Sequence, residues 1–338
     1  MDTEEEEEEK TEASNEDVDD PPTMPDTELG EIWKQLALEW KSKLFALYDM
    51  DTTSAKFDWS SLTGFIGDTT AYYRRYPGRV TVIELDLHDL WDELLLLAKV
   101  TPAHLPQQDQ LVDIVDVARQ QGCITREDAH GSEQEALTSE GTRMWTDLPF
   151  LVTDVKRAWF NSQRELDQIL RHNLAAFTAR LCARHSDGGG SSGSSGDGLA
   201  FCALWLLRRA LEVPRRVTRS YHRLRTSVVE MLPACVVWFQ FAGVQLLRLA
   251  AAEVCFADTV YFTAGDLQLV APGERAVAQG VRGRGFSRLR WLFWRCRFEE
   301  LSCLDDAEVA MMARYGLDAM LRAERRVEDE LRNGASES

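Results

Sequence analysis

Residues 228–247 have the sequence VVEMLPACVVWFQFAGVQLL, the most informative apolar segment of the chain for its fold class. A helix over this segment is long enough to cross a bilayer. However, Glu230, Pro233, Gln240 and Gln245 interrupt it, and polar side chains that face lipid are energetically costly. We therefore predict a buried helix of a large helical domain here, and no transmembrane segment.

Apolar residues recur at helical spacing on both sides of this segment, which predicts an all-α fold of about ten helices. We expect one helix to end at Met231 and the next to begin at Pro233. Ser287 has the position of a helix N-cap, and Gly122 that of a left-handed terminator. The predicted helices cover Leu29–Tyr48, Phe57–Tyr76, Thr81–Thr101, Asp109–Gln121, Pro149–Trp159, Asn161–Leu181, Leu199–Leu211, Arg216–Met231, Pro233–Phe256, Ser287–Cys303 and Asp305–Asn333.

The remaining segments are expected to be less regular. Residues 125–143 are polar and predict a short exposed helix, whereas Val260–Ala278, with its glycines and proline, predicts irregular structure. Residues 186–198 have the sequence SDGGGSSGSSGDG, a low-complexity stretch that we interpret as a flexible insertion. Because the helices on both sides of it are strongly apolar, we predict one helical domain over residues 29–334.

Most of the net charge of −18 lies in the N-terminal tail. Residues 1–28 hold fourteen acidic residues and one lysine, which predicts a disordered tail because little apolar surface is available to offset ordering. This acidic start differs from a secretory signal and from a mitochondrial presequence. The seven cysteines are scattered singly. We therefore expect the protein in the cytoplasm or nucleus.

We recognise no motif of catalytic or metal-binding type in the sequence. The six histidines lie far apart, and none has the spacing to another histidine or a cysteine that helix-borne zinc sites need. The segment GVRGRGFSR has Arg288 where a phosphate loop requires its third glycine. His172 is the one histidine considered as an acid or base, and it has no matched partner in the sequence. We predict no catalytic, cofactor-binding or metal-binding residue, and no cofactor.

Two arginine-rich stretches are the strongest electrostatic feature. In the second stretch Trp291, Trp294 and Phe298 are spaced either as a core stripe or as a platform on which bases stack. Both interpretations stay open, as does competition between the acidic tail and a polyanion for a basic face. The arginines are Arg208, Arg209, Arg215, Arg216, Arg219, Arg223, Arg225, then Arg282, Arg284, Arg288, Arg290, Arg295 and Arg297.

Six segments follow one another along the chain: DLWDELLLLAK (89–99), WTDLPF (145–150), NLAAFTARL (173–181), ALWLLRRALE (203–212), LPACVVWF (232–239) and RWLFWRCRFEEL (290–301). Taken in order, they resemble a family of fungal proteins that carry a domain of unknown function. The resemblance implies a helical domain and no known activity, and it carries no site residues over. Asn173 and Arg180 are the polar residues of interest within these segments, and we expect a buried hydrogen bond or an ion pair, for example with Glu212.

The sequence thus favours a non-catalytic helical protein that acts through protein–protein contacts with an unknown partner. The first alternative is a basic-face binder of nucleic acid or anionic lipid, which a clustered arginine surface would favour. The second is an enzyme with an unrecognised site, which a deep pocket holding His172 and a carboxylate would favour.

Overall fold

The computed structural model describes residues 59–75, 80–127, 132–161, 168–185, 195–214, 227–256 and 264–336. The predicted acidic tail, the helix Leu29–Tyr48 and residues 215–226 lie outside the described residues, so these predictions stay predictions. The same is true of the single domain over residues 29–334. Residues 186–194 of the predicted insertion are also outside, while a helix already begins at Ser195.

The all-α fold class is confirmed, since helices dominate the described residues and only two short strands accompany them. The helices are α1 (Ser60–Arg75), α2 (Val80–Val100), α3 (Gln107–Gln120), α4 (Leu151–Asn161), α5 (Gln168–His185), α6 (Ser195–Leu207), α7 (Val228–Ala251), α8 (Ala264–Leu269), α9 (Glu274–Ala278), α10 (Arg288–Ser302) and α11 (Ala307–Ser336). A π-helical turn, Arg208–Glu212, continues α6.

The helix predicted within residues 125–143 is wrong. Strands β1 (Thr125–Glu127) and β2 (Glu133–Glu135) pair antiparallel there. The pairing extends beyond the strands, because the Ala136 amide donates to the Ile124 carbonyl at 2.8 Å and both side chains are buried. Ile124 and Ala136 therefore anchor the pair of strands, in a segment that lacks the helical spacing of apolar residues.

The predicted helix break at Pro233 is also wrong. Helix α7 runs from Val228 to Ala251 with Pro233 inside it, and a Glu230 carboxylate oxygen accepts the Ser227 amide at 2.6 Å at its start. Proline removes one backbone hydrogen bond in the second turn. The buried side chains of Leu232 and Ala234 on either side offset that loss by packing in the core.

Two smaller expectations differ from the structure. The segment predicted as irregular contains the short helices α8 and α9, and the Lys156 ammonium holds α8 through Asp266 at 2.8 Å. The last helix, predicted to begin at Asp305, begins at Ala307, and the Asp306 carboxylate caps it by accepting the Val309 amide at 3.1 Å. It also continues beyond the predicted Asn333 stop, to Ser336.

The core is a continuous cluster of buried apolar side chains in which α7 packs against α5 on one side and α11 on the other. Trp91, Trp145, Trp238 and Trp294 are fully buried within it. Among the described residues α7 is the one helix long and apolar enough to cross a membrane, and 61% of its most apolar window is buried. A core helix passes the same test of length and composition, so a membrane span has only weak support.

Candidate binding groove

The two polar residues singled out in the sequence stabilise one corner of the fold. Asn173 is buried, accepts the Ala103 amide at 2.9 Å and donates to the Lys99 carbonyl at 2.8 Å. It thereby satisfies backbone groups in the turn between α2 and α3. Asn173 makes the buried hydrogen bonds that the sequence suggests.

Arg180 has a different partner from the one expected. Its guanidinium pairs with Asp109 at 3.0 Å, donates to a backbone carbonyl, and lies 3.6 Å above the ring of Phe241. The expected pairing with Glu212 is therefore wrong. Arg180 ties α3 to α7 across α5, and burial lowers its pKa while Asp109 opposes that shift.

Glu212 is instead the centre of a sealed polar cluster with Arg290. Both side chains are fully buried, and two parallel hydrogen bonds of 2.7 and 2.9 Å join them. Trp294 Nε1 and the Gly273 amide donate to the same carboxylate at 2.8 and 2.7 Å. The remaining Arg290 donors reach the carbonyls of Val270 and Gly285, so this cluster is closed to a ligand.

Three local features bring these groups together. The π-helical turn ends at Glu212, and Ser287 caps α10 by accepting the Arg290 amide at 3.2 Å. Gly273 must be a glycine, because a Cβ there would lie 2.8 Å from the Glu212 carbonyl carbon. This cluster therefore joins the sequence segments ALWLLRRALE and RWLFWRCRFEEL, which lie far apart along the chain.

The arginine-rich stretches do not form the stacking platform considered from sequence. Trp291, Trp294 and Phe298 are buried and belong to the core stripe. Arg290 forms a buried ion pair with Glu212, and Arg295 contacts Glu324 at 3.3 Å. The arginines between residues 215 and 225 lie outside the described part of the chain. Arg282, Arg284 and Arg288 are on the surface.

A second charged cluster, which the sequence did not reveal, lies between α2 and α4. His88 Nδ1 is 2.8 Å from a carboxylate oxygen of the fully buried Asp154. Arg157 bridges Asp154 and Asp92 at 3.0 Å each. The hydrogen bond to Asp154 raises the pKa of His88, against the opposing effect of burial.

The turn before α4 completes this cluster. Phe150 stacks on the His88 ring with a centroid separation of 4.3 Å. Phe150 and Leu148 have φ values of 67° and 48°, in the left-handed region that non-glycine residues rarely adopt. The Trp91 indole holds the turn by donating to the Pro149 carbonyl at 2.9 Å. His88 and Asp154 are 66 residues apart, so no local motif signals the pair.

His172 lines a groove between α5 and α11. Burial, followed by the neighbouring His104, lowers the pKa of His172. These are not the surroundings of an acid–base pair, for which a carboxylate would raise the pKa. Within the described residues no group of three or more histidine, cysteine or acidic side chains could hold a metal ion.

Helix α7 forms the floor of this α5–α7–α11 groove. The groove has a narrow half of about 310 Å³ and a wide half of about 830 Å³. Gln240, Ala319 and Arg322 line both halves, so the two halves are continuous. Gly243 allows close contact beneath the wide half, since a Cβ there would lie 3.1 Å from the Ala323 methyl group.

The two halves differ in chemistry. The narrow half is lined mainly by apolar side chains, and Tyr315 at its edge is 56% exposed. Four arginines and two carboxylates line the wide half. These six residues are Arg248, Arg322, Arg325, Arg326, Asp329 and Glu330.

Comparison with known proteins places the chain in a family. A family model described as "Protein of unknown function (DUF3632)" matches residues 91–298. The "Oxopyrrolidines biosynthesis cluster protein G" of Penicillium oxalicum is 29% identical over 240 residues, which cover 66% of this chain and 61% of the relative. The match thus spans less than two thirds of the relative's length. No solved structure matches.

Proposed function

The chain belongs to the DUF3632 family of proteins of unknown function, and from this premise we propose that it is a non-catalytic protein that binds another protein in the α5–α7–α11 groove. The resemblance to a fungal family with a domain of unknown function is confirmed by the matching model and by the fungal relative. The family carries no assigned activity, so the geometry of the groove is the basis of the proposal.

The observation that carries the proposal is the continuity of the groove. Its floor extends along α7 from Pro233 to Arg248, which corresponds to about 22 Å at the helical rise. A compact ligand occupies a shorter and more enclosed site. An open channel of this length, with an apolar half and a charged half, suits a segment of protein.

Two of the polar clusters, those of Glu212 with Arg290 and of Asn173, support binding over catalysis. Catalytic groups must present a donor, an acceptor or a nucleophile to a substrate. In the Glu212–Arg290 cluster every charged atom already has a protein partner, and the Asn173 amide is likewise occupied by backbone groups.

The relative's name suggests which partners to test first. It is named as a protein of an oxopyrrolidine biosynthesis cluster, so proteins encoded beside this chain's gene are the first candidates. We propose the cytoplasm or the nucleus as the compartment in which the contact forms.

The test uses a matched pair of tryptophan substitutions. Gln240→Trp fills the middle of the groove from an exposed position, while Gln268→Trp adds the same side chain at an exposed position of α8 outside the groove lining. A photo-crosslinking residue at position 240 should capture a protein, and the same residue at position 268 should not. In a pull-down without the crosslinking residue, recovery of that protein should fall about tenfold or more with the Gln240→Trp variant and should not fall with the Gln268→Trp variant.

Two controls complete the design. Circular dichroism of both variants should match that of the unaltered protein, which shows that α7 still forms. Equal recovery from Gln240→Trp and Gln268→Trp would reject the groove as the interface. Recovery that disappears after nuclease treatment would replace the proposal with binding mediated by nucleic acid.

A further inference from the structure

We infer that the occupant of the groove is an amphipathic helix of a partner protein, with apolar side chains along one stripe and carboxylates toward one end. This inference rests on the proposed function and specifies the chemistry of the partner. It follows from the length of the groove, from its apolar half and from the charge of its wide half.

The length of the groove matches a helix. A floor of about 22 Å accommodates about fifteen residues, or four turns, at 1.5 Å per residue. The floor is the helix α7. Helix α11 lines both halves, while α5 contributes His172 to the narrow half and Ala183 to the wide half. A fourth helix packed between such walls buries its apolar stripe against three neighbours, as in other helix-in-groove complexes.

The narrow half provides the apolar contact. Val236, Val237 and Met312 line it together with the ring of Tyr315, which is more than half exposed in the free protein. A large exposed aromatic beside aliphatic side chains is typical of a binding hot spot. Leucine or phenylalanine side chains of the partner, spaced three and four residues apart, would fill this half.

The wide half determines the charge of the partner. Four arginines against two carboxylates leave an excess of positive charge. Its internal ion pairs are exposed, since Arg248 and Glu330 are 45% and 40% accessible at 2.8 Å separation. Exposed pairs of this kind contribute little, so incoming carboxylates can exchange with them. Arg322 lines both halves of the groove. The apolar stripe of the partner helix would therefore meet the helix's acidic end beside Arg322.

The experiment uses two helix-stapled fluorescent peptides of about sixteen residues. Both carry the same leucine stripe; one has glutamates over its last turns and the other has glutamines at the same positions. Anisotropy titration should show the glutamate peptide binding about tenfold more tightly at about 50 mM salt. The difference should fall below about twofold at about 500 mM salt, because the charges involved are exposed.

Substitutions assign the preference to the groove. The double variant Arg322→Gln with Arg326→Gln should lose the preference for glutamate while it still binds the glutamine peptide. Gln240→Trp should weaken both peptides about tenfold or more, and Gln268→Trp should change neither. Equal affinity of the two peptides, or an undiminished preference in the double arginine variant, would overturn the inference.

Three further outcomes distinguish failure of this inference from failure of the proposed function. Loss of both peptides in Gln240→Trp without any charge preference would overturn the acidic helix and leave the groove as an interface. Failure of both peptides to bind the unaltered protein would overturn the inference, while the crosslinking test still decides the proposed function. Displacement of the glutamate peptide by phosphatidylserine vesicles, but not by phosphatidylcholine vesicles, would replace the helix with a lipid surface.

Discussion

The Glu212–Arg290 cluster and the wide half of the α5–α7–α11 groove both contain arginine–carboxylate pairs, but the two regions differ in solvent exposure. In the cluster both charged groups have no solvent exposure, and backbone and indole groups occupy their remaining positions. In the groove Arg248 and Glu330 form a pair of similar length while almost half exposed. The first arrangement fixes helices in one position, whereas the second can exchange partners, because only the second remains in contact with water.

The largest effect should come from breaking the buried pair. Glu212→Gln leaves the Arg290 guanidinium buried beside a neutral group and should lower the free energy of unfolding by about 3–5 kcal/mol. Urea unfolding followed by circular dichroism measures this change. The matched substitution Glu330→Gln in the groove should produce no measurable change. Similar losses in both variants would contradict the distinction between the two regions.

A smaller effect should come from the inner side of α11, the helix whose outer side forms a groove wall. A Cβ at Gly316 would lie 2.5 Å from the Phe298 ring, so Gly316→Ala should destabilise the protein by about 1–3 kcal/mol. Gly64 in α1 is the matched control, since a Cβ added there would meet open space, with nothing within 4 Å. Gly64→Ala should be neutral or stabilise by up to about 1 kcal/mol. A neutral Gly316→Ala would show that α10 and α11 are less tightly packed than described.

The smallest effect should come from the cluster of His88 and Asp154, which is intermediate between the two regions because Asp154 is buried and His88 is 30% exposed. The pKa of His88 is raised by Asp154, so its contribution to stability is complete below its unfolded pKa of about 6.5 and is lost as pH rises through the folded pKa. The difference in stability between the unaltered protein and His88→Gln should therefore shrink from about pH 5.5 to about pH 8.5, by less than about 1 kcal/mol.

That difference isolates His88 from the other histidines. Burial lowers the pKa of His172 and of His185, so their contributions change with the opposite sign and cancel between the two proteins. Urea unfolding of both proteins at each pH provides the measurement. A difference that is constant with pH would show that His88 contributes through its stack on Phe150 and not through its charge.

Much of the helical architecture could be predicted because its signals are local. Apolar periodicity located most helices, Ser287 caps α10 as its position suggests, and Gly122 has the left-handed φ of 66° that a terminator requires. The errors arose where distant packing overrides a local rule. Pro233 remains in α7 because core contacts on both sides offset one missing hydrogen bond, and strands Thr125–Glu127 and Glu133–Glu135 pair beside the buried Ile124 and Ala136.

The candidate site was less predictable because it depends on which helix faces meet. Glu212 and Arg290 are 78 residues apart, so sequence indicated an arginine-rich surface where the structure has a closed pair. The groove has no motif of its own, since its floor and walls come from three helices that are separate in the sequence. Gln240 and Gln245 were recognised as interruptions of an apolar run, and the structure shows both lining the groove.

The π-helical turn Arg208–Glu212 has a consequence for the length of this segment. A π turn contains one residue more than an α turn, so it amounts to a single-residue insertion accommodated inside a helix. If the same residues wound as a regular α-helix, the end of the helix would be rotated by about 100°. The Glu212 carboxylate would then point away from α10. The helical phase of this segment, as much as its composition, therefore determines whether the buried carboxylate can pair with Arg290.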